Sequence, residues 1–570
     1  MKDKTNKYSK WHVPYANNDK YKSRVAYFCM EYGIAQPLKI YSGGLGFLAG
    51  SHMRSAFELK QNMIGIGMLW KYGYYDQVRA QDKSMLPLFQ EKHYHFLKDS
   101  GIRVTVKVNE YDVIVKAMVL EPETFGSAPI YLLSTDVPEN DYLARTITEK
   151  LYDSNQETRV AQSIVLGVGG AKLIEKLGGV DTYHMNEGHA LPLTFYLYSQ
   201  LKDLDKVREK VVFTTHTPVK AGNESHEIDM LEEMSFFSGV PVKEIKRITN
   251  TEGNILEFTP SALCMSKLSN GVSQLHGNVA TEMWRDHKGT CEIIGITNAQ
   301  SKKFWTDSLI DQAFQNKDAD AIKRRKRELK SELFEFIADQ TGKLFDPDVL
   351  TVVWARRFAG YKRADLLMRD MEKFYNIVND KKQPIQIIWA GKPYPKDQIG
   401  LSTFRRIRET IWDIPNCAIL TGYEMSLSFK LKKGADVWLN TPRRPKEASG
   451  TSGMTAAMNG AVNVSVDDGW IPEFGKNGVN SFVLPIADTS SPVEAQDSFD
   501  YNNLMDVLTS EIIPTYYNNG KWWEIVMNSM NDIYPYFDSD RMADEYYTRL
   551  YNAEYKINGS AIKKSSPSAV

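Results

Sequence analysis

The sequence predicts an α/β protein built as two Rossmann-like lobes facing a cleft. Three features carry that expectation. Apolar runs of strand length alternate with segments of helical spacing through the first half. The same alternation restarts at Val349-Leu-Thr-Val-Val-Trp-Ala355 after a charged helical connection. Polar clusters follow the strands, and ligands of open α/β sheets bind at the carboxyl ends of strands.

In chain order, residues 1–20 read as a polar leader. Arg24-Val-Ala-Tyr-Phe-Cys29 is a buried strand. Tyr41-Ser-Gly-Gly-Leu-Gly46 is a tight turn, and Phe47 to Leu59 has helical spacing through Leu48, Ala49, Met53, Ala56 and Phe57. Arg103 to Val108 and Asp112 to Leu120 alternate as a β-hairpin around Asn109-Glu110. Pro129 to Ser134, Asp181 to Met185 and Val211 to Thr215 are further strands, with a long apolar helix over Glu157 to Leu177. Asp311 to Ile337 reads as one charged helix. Its run Lys323-Arg-Arg-Lys-Arg327 is interleaved with Glu328, Glu332 and Glu335, which favours a solvated face over a phosphate site. Strands of the second lobe are expected at Pro384 to Trp389, Cys417 to Leu420, Asp436 to Leu439 and Val462 to Val466. Tyr516 to Tyr551 is an amphipathic helical strap. The expected division is therefore a leader (1–20), a first lobe with a hairpin insertion (21–345), a second lobe (346–515), the strap (516–556) and a disordered Lys/Ser/Ala-rich tail (557–570).

Composition narrows the function. A chain of 570 residues exceeds one ordinary domain, and 42% hydrophobic with 25% charged residues fits a soluble globular protein. A net charge of −1 gives no electrostatic case for nucleic acid or an anionic membrane. No apolar run reaches membrane-spanning length, and the first residues lack a signal peptide's apolar core. Cys29, Cys264, Cys291 and Cys417 lack metal-ligand or disulfide-framework spacing, so they read as reduced thiols of a cytoplasmic protein, and no metal is expected.

Four clusters could do chemistry. Gly43-Gly-Leu-Gly46 is either a structural turn or an anion loop. His184-Met-Asn-Glu-Gly-His189 and Thr214-Thr-His-Thr-Pro218 hold histidines that are either satisfied core groups or site residues. In Arg356-Arg-Phe-Ala-Gly-Tyr-Lys362 two cations stand five residues apart among Trp354, Phe358 and Tyr361, a setting that asks for a bound anion. In Glu447-Ala-Ser-Gly-Thr-Ser-Gly-Met-Thr-Ala-Ala-Met-Asn-Gly460 a carboxylate precedes small residues and a helix start, either as a helix-cap acid or as a ligand group. One carboxylate, two cations, Gly-rich turns and a histidine, all at strand ends, suit transfer of a phosphate-activated group.

These residues resemble the short-form α-glucan (glycogen/maltodextrin) phosphorylase family, from about Val25 to Leu550. The likeness rests on Tyr41 to Gly50, Met185-Asn-Glu-Gly-His-Ala190, Thr214-Thr-His-Thr217, Ile296-Thr-Asn298, Arg356 to Lys362, Ala390-Gly-Lys392 and Leu439 to Thr451. The resemblance implies the GT-B architecture. It also implies phosphorolysis of terminal α-1,4-glucosyl units to glucose 1-phosphate with retention, and pyridoxal phosphate as cofactor. Carried over residue by residue, Arg357, Lys362, Glu447 and His216 become the catalytic set. Gly44, Leu45, Asn298, Tyr361, Ser449 and Gly450 would bind substrate, and Arg356, Lys362 and Thr451 would contact the cofactor. Partners would be an α-glucan and phosphate or a nucleotide sugar, with a homodimer left open.

One position departs. Where the resemblance places the cofactor's imine lysine, this chain has Thr455, which forms no imine, so the cofactor is expected to be held non-covalently. Lys446 is near in sequence but points away from Glu447 if the segment is extended. Two alternatives to phosphorolysis stay open: a retaining glucosyltransferase using a nucleotide-diphosphate glucose, and a non-catalytic glucan-binding protein.

Overall fold

A computed structural model of the chain describes residues 6–16, 18–81, 84–557 and 560–561. Of the tail expected to be disordered, residues 558–559 and 562–570 lie outside the described residues, as does the start of the leader, and Lys556–Ile557 pairs antiparallel with Ser560–Ala561.

Two sheets organise the chain. The first has nine strands in the order Ile293–Gly295, Leu268–Gly271, Val211–Thr214, Thr182–Asn186, Val25–Phe28, Met63–Met68, Ile130–Ser134, Tyr111–Leu120 and Lys98–Val108. Seven are parallel, and the hairpin Lys98–Val108/Tyr111–Leu120 closes one edge antiparallel. Asn109 and Glu110 both take positive φ at its turn, as a two-residue hairpin loop requires. The strand Met63–Met68, with no alternation to mark it, went unread in the sequence.

The second sheet has six parallel strands in the order Cys417–Leu420, Ile385–Ala390, Leu350–Ala355, Val437–Asn440, Val462–Val466 and Ser481–Leu484. Numbered along the chain this is 3-2-1-4-5-6, the doubly wound order, in which the ligand crevice opens between the first and fourth strands. Both faces are covered. Val352, Trp354, Ile387 and Trp389 pack on one side, and Val353, Ala355, Ile388 and Ala390 on the other. Burial on both faces is why these strands read as unbroken apolar runs.

The charged segment 311–337 is two helices, Ser308–Gln315 and Ala319–Thr341, capped by Asp307 and Asp318. Although that stretch falls within the span read as first lobe, Ile310, Ile322, Leu329 and Leu333 pack on the second sheet. The basic run is only partly solvated: Arg327 pairs with Asp348, but Lys326 is buried with its Nζ on Asn459 O. The helix Asn519–Tyr536 lies on the second sheet's core. The chain then crosses back, and Met542, Tyr546, Tyr547 and Leu550 enter the first core. The C-terminal segment thus straps one core to the other.

Candidate active site

The second sheet's crevice is built by the segments leaving Leu350–Ala355 and Val437–Asn440, which are adjacent and parallel. The first delivers Arg356, Arg357 and Lys362; the second leads to Glu447. Glu447 Oε2 accepts from Arg356 Nη1 at 3.1 Å and from Lys362 Nζ at 2.5 Å. Arg356 also donates to Asn440 Oδ1, and to Ser452 Oγ at 3.4 Å. Asp468 Oδ2 accepts the Glu447 N–H at 2.9 Å and fixes the loop. Glu447 is therefore a salt-bridged carboxylate rather than a helix cap. Its burial pushes its pKa up, but Lys362 and Arg356 outweigh that and hold it below the usual carboxylate range.

Arg357 turns the other way. It has no ion-pair partner among the described residues; its side chain is exposed to the cleft and interacts with Tyr361. Arg363 is a structural cation, buried against Asp497, Asp500 and the carbonyls of Thr441 and Pro442.

The first lobe faces this set with the helix Gly44–Glu58. Glu31, just past the strand Val25–Phe28, accepts from the N–H of Ser42 at 2.5 Å and of Gly43 at 3.2 Å, and from Tyr152 Oη at 2.7 Å. That carboxylate folds the Gly-rich turn. The next N–H groups, of Gly44 and Leu45, have no acceptor among the described residues and open into the cleft. A Cβ at Gly44 would meet no atom within 4 Å.

His216 is half-buried, and its removal from water pulls its pKa down to about 3, so the imidazole is neutral. Its Nε2 lies 2.6 Å from Asn186 Oδ1, whose amide nitrogen donates to Cys29 Sγ. Nε2 therefore carries the proton, and Nδ1 is left as an acceptor. His184 is a satisfied core group between Tyr551 Oη and Thr214 Oγ1.

The two lobes enclose a cavity of about 490 Å³, within the range of small-molecule sites. Gly44, Leu45, His216, Asn298, Arg356, Arg357, Tyr361, Lys362, Glu447, Ser449, Gly450 and Thr451 all line it. Thr455 does not: it is fully buried, with its hydroxyl donating to Ser452 O at 3.0 Å. Lys446 is exposed. Bonds across the rims hold the lobes together, among them Ser273 Oγ to Ala448 O at 2.8 Å and Lys392 Nζ to Tyr75 O at 2.7 Å.

Sequence reasoning missed Glu31, Tyr152, Tyr423 and Lys432 in the cavity wall. Glu31 had a signal, its place at a strand's carboxyl end. Lys432, in the run Lys430-Leu-Lys-Lys433, reads as helix-surface charge and had none.

The wall also carries buried polar atoms without partners: Arg356 Nε, Ser449 Oγ and Asn298 Oδ1. Buried groups of this kind ask for a ligand. Beside Arg356 and Ser449 stand the rings of Phe47 and Tyr423. Cationic and hydroxyl donors next to aromatic faces fit an anionic planar group, and pyridoxal phosphate is one.

Among the described residues no helix is long and apolar enough to cross a membrane, and all four cysteines are free thiols.

A family model described as carbohydrate phosphorylase matches residues 296–481. The chain is 34% identical to the maltodextrin phosphorylase of Thermococcus litoralis, covering 94% of this chain and 71% of that protein. It is 31% identical to the glycogen phosphorylase of Aquifex aeolicus, covering 95% and 88%. An uncharacterized protein of Methanocaldococcus jannaschii is 47% identical, covering 92% and 99%.

Proposed function

Because the chain belongs to the carbohydrate phosphorylase family of glycosyltransferases, we propose that it is an α-glucan phosphorylase. It uses inorganic phosphate to remove terminal α-1,4-glucosyl units from glycogen or maltodextrin. The observation that carries this reading is the pairing of Lys362 and Arg356 with Glu447 while Arg357 has no carboxylate partner among the described residues and is exposed to the cleft. A cation without a carboxylate partner, lining the same cavity as the open N–H groups of Gly44 and Leu45, is a place for a small dianion.

The reaction breaks the C1–O4 bond, moves the proton of hydrogen phosphate to O4 and joins C1 to a phosphate oxygen on the same face. Positive charge develops on the sugar and must be matched by a fixed anion on the phosphate side. Arg357 and the N–H groups of Gly44 and Leu45 hold that phosphate under C1. Glu447 turns its second oxygen to sugar hydroxyls, while Lys362 and Arg356 keep it ionised. His216 Nδ1 accepts a hydrogen bond from a sugar hydroxyl, and Asn298 and Ser449 offer further polar contacts. Tyr361 and Gly450 complete the wall; the glycine leaves room beside Glu447.

Arg356, Thr451 and Lys362 are the residues read from sequence to hold pyridoxal phosphate non-covalently. When bound, that group supplies a phosphate able to exchange a proton with the substrate phosphate. With Thr455 turned into its own helix, the family's anchoring position gives it no covalent hold.

The test is release of glucose 1-phosphate from maltodextrin in the presence of phosphate and pyridoxal phosphate, against the same glucan with ADP- or UDP-glucose. Phosphate-dependent release is expected. Chain extension from a nucleotide sugar without phosphorolysis would sink the reading.

A further inference from the structure

Four lysines are buried among the described residues: Lys326, Lys330, Lys392 and Lys432. Three have partners. Lys326 Nζ donates to Asn459 O at 2.8 Å, Lys330 Nζ to Asp436 Oδ2 at 2.6 Å and Lys392 Nζ to Tyr75 O at 2.7 Å. Lys432 has none. Its side chain, on the helix Met425–Gly434, runs between aromatic rings, with Nζ 3.7 Å from the centre of Trp305 and 5.3 Å from that of Phe47. It ends in the cavity wall, together with Arg356, Tyr423, Thr451 and Ser452.

An ammonium taken out of water without a counter-ion is strongly disfavoured. A lysine left in such a place is best explained by a use for its neutral form. Burial alone pulls its pKa down to about 7, so a large share of the amine is unprotonated at neutral pH. An unprotonated amine held among aromatic rings at the wall of a cavity is the nucleophile that carbonyl chemistry needs.

The helix bearing Lys432 packs directly on the helix Ser452–Ala457 that bears Thr455. Thr455 is turned away from the cavity, whereas Lys432 reaches it from the neighbouring helix.

We propose that Lys432 forms the imine with pyridoxal phosphate in this chain, taking over from a different helix the anchoring role for which position 455 offers only a threonine. The inference rests on the phosphorylase reading for the identity of the cofactor. Lys432 Nζ attacks the aldehyde carbon and a C–N bond forms. The carbonyl oxygen leaves as water with the two protons of the amine, and C=N replaces C=O. No oxidant or reductant is involved.

The experiment is borohydride reduction of the full-length protein loaded with pyridoxal 5′-phosphate, followed by proteolysis and peptide mass mapping. A pyridoxyl group on the Lys432 peptide is expected. A label on any other lysine, cofactor released by denaturation after reduction, or no cofactor bound at all would each overturn the proposal. Lys432→Met, close in volume, is expected to keep its near-ultraviolet circular dichroism while losing both the label and the visible imine absorbance. A label retained in that variant also overturns it. Glucose 1-phosphate release is assayed on the same wild-type preparation. Release without a Lys432 label sinks this inference alone. A Lys432 label without release sinks the phosphorylase reading and leaves this inference standing.

Discussion

Lys362 Nζ and Glu447 Oε2 stand 2.5 Å apart, bringing together two segments that are 85 residues apart in the chain. The pair sits at the crevice between the first and fourth strands of the second sheet, and each partner is largely shielded from water, Glu447 being 11% exposed. Removing either one therefore has two separable consequences, one for stability and one for turnover.

Lys362→Met leaves Glu447 with Arg356 as its only cation. Loss of one charge-assisted bond to a buried carboxylate is expected to cost about 2 kcal/mol. The double variant Lys362→Met/Glu447→Gln, with no carboxylate left to satisfy, should recover most of that loss in chemical denaturation. Phosphorolysis should remain abolished in both. Equal stabilities for the single and double variants would show that the pair is not coupled.

Arg357→Ala should behave oppositely. The side chain is exposed to the cleft and makes no ion pair among the described residues, so stability should move by no more than about 0.5 kcal/mol. Glucose 1-phosphate formation should fall about 10²-fold, with the larger effect at low phosphate. Activity within about twofold of wild type would remove Arg357 from the phosphate site.

Two glycines of one turn are expected to part company. A Cβ at Gly44 meets open space, so Gly44→Ala should fold as well as wild type but intrude where substrate approaches, raising the KM for phosphate. A Cβ at Gly46 would lie 2.7 Å from both Glu31 Oε2 and Tyr41 Cβ, so Gly46→Ala should destabilise the protein by about 1–3 kcal/mol. Thermal melts alongside phosphate titrations distinguish the two.

Acid sensitivity should arrive in two stages. Burial pulls His52 and His216 down to about 3 and His276 to about 4. Unfolding lets each regain its ordinary value near 6.5, so the unfolded state binds more protons below that pH and stability falls as pH drops from 6.5 towards 4. Glu447 adds a second stage. Its contribution is complete above its ordinary value of 4.5 and is lost as pH falls through its lower folded value. Urea titrations should therefore show wild type more stable than Glu447→Gln above pH 4.5, with the gap closing at lower pH. A pH-independent gap would deny the carboxylate its cationic partners.

By itself the sequence determined the α/β class, because strands buried on both faces must be apolar throughout and leave a visible run. It also determined which segments supply the site. Arg356 to Lys362, Glu447 to Thr451, Gly44 and His216 each follow a strand, and ligand groups of such sheets gather at strand ends. Only the tertiary structure decided how those groups divide their charge. Whether Glu447 caps a helix or pairs with Lys362 depends on two strands being neighbours in the sheet, a contact between segments 85 residues apart that no local pattern records. The structure likewise decided that Arg357, not Arg356, is the cation left open to the cleft. It also showed that Lys432, which reads as one charge of a helix surface, points inward onto aromatic rings with no ion-pair partner among the described residues. A lysine's residue type favours solvent, and only the packing around it reveals that it was buried.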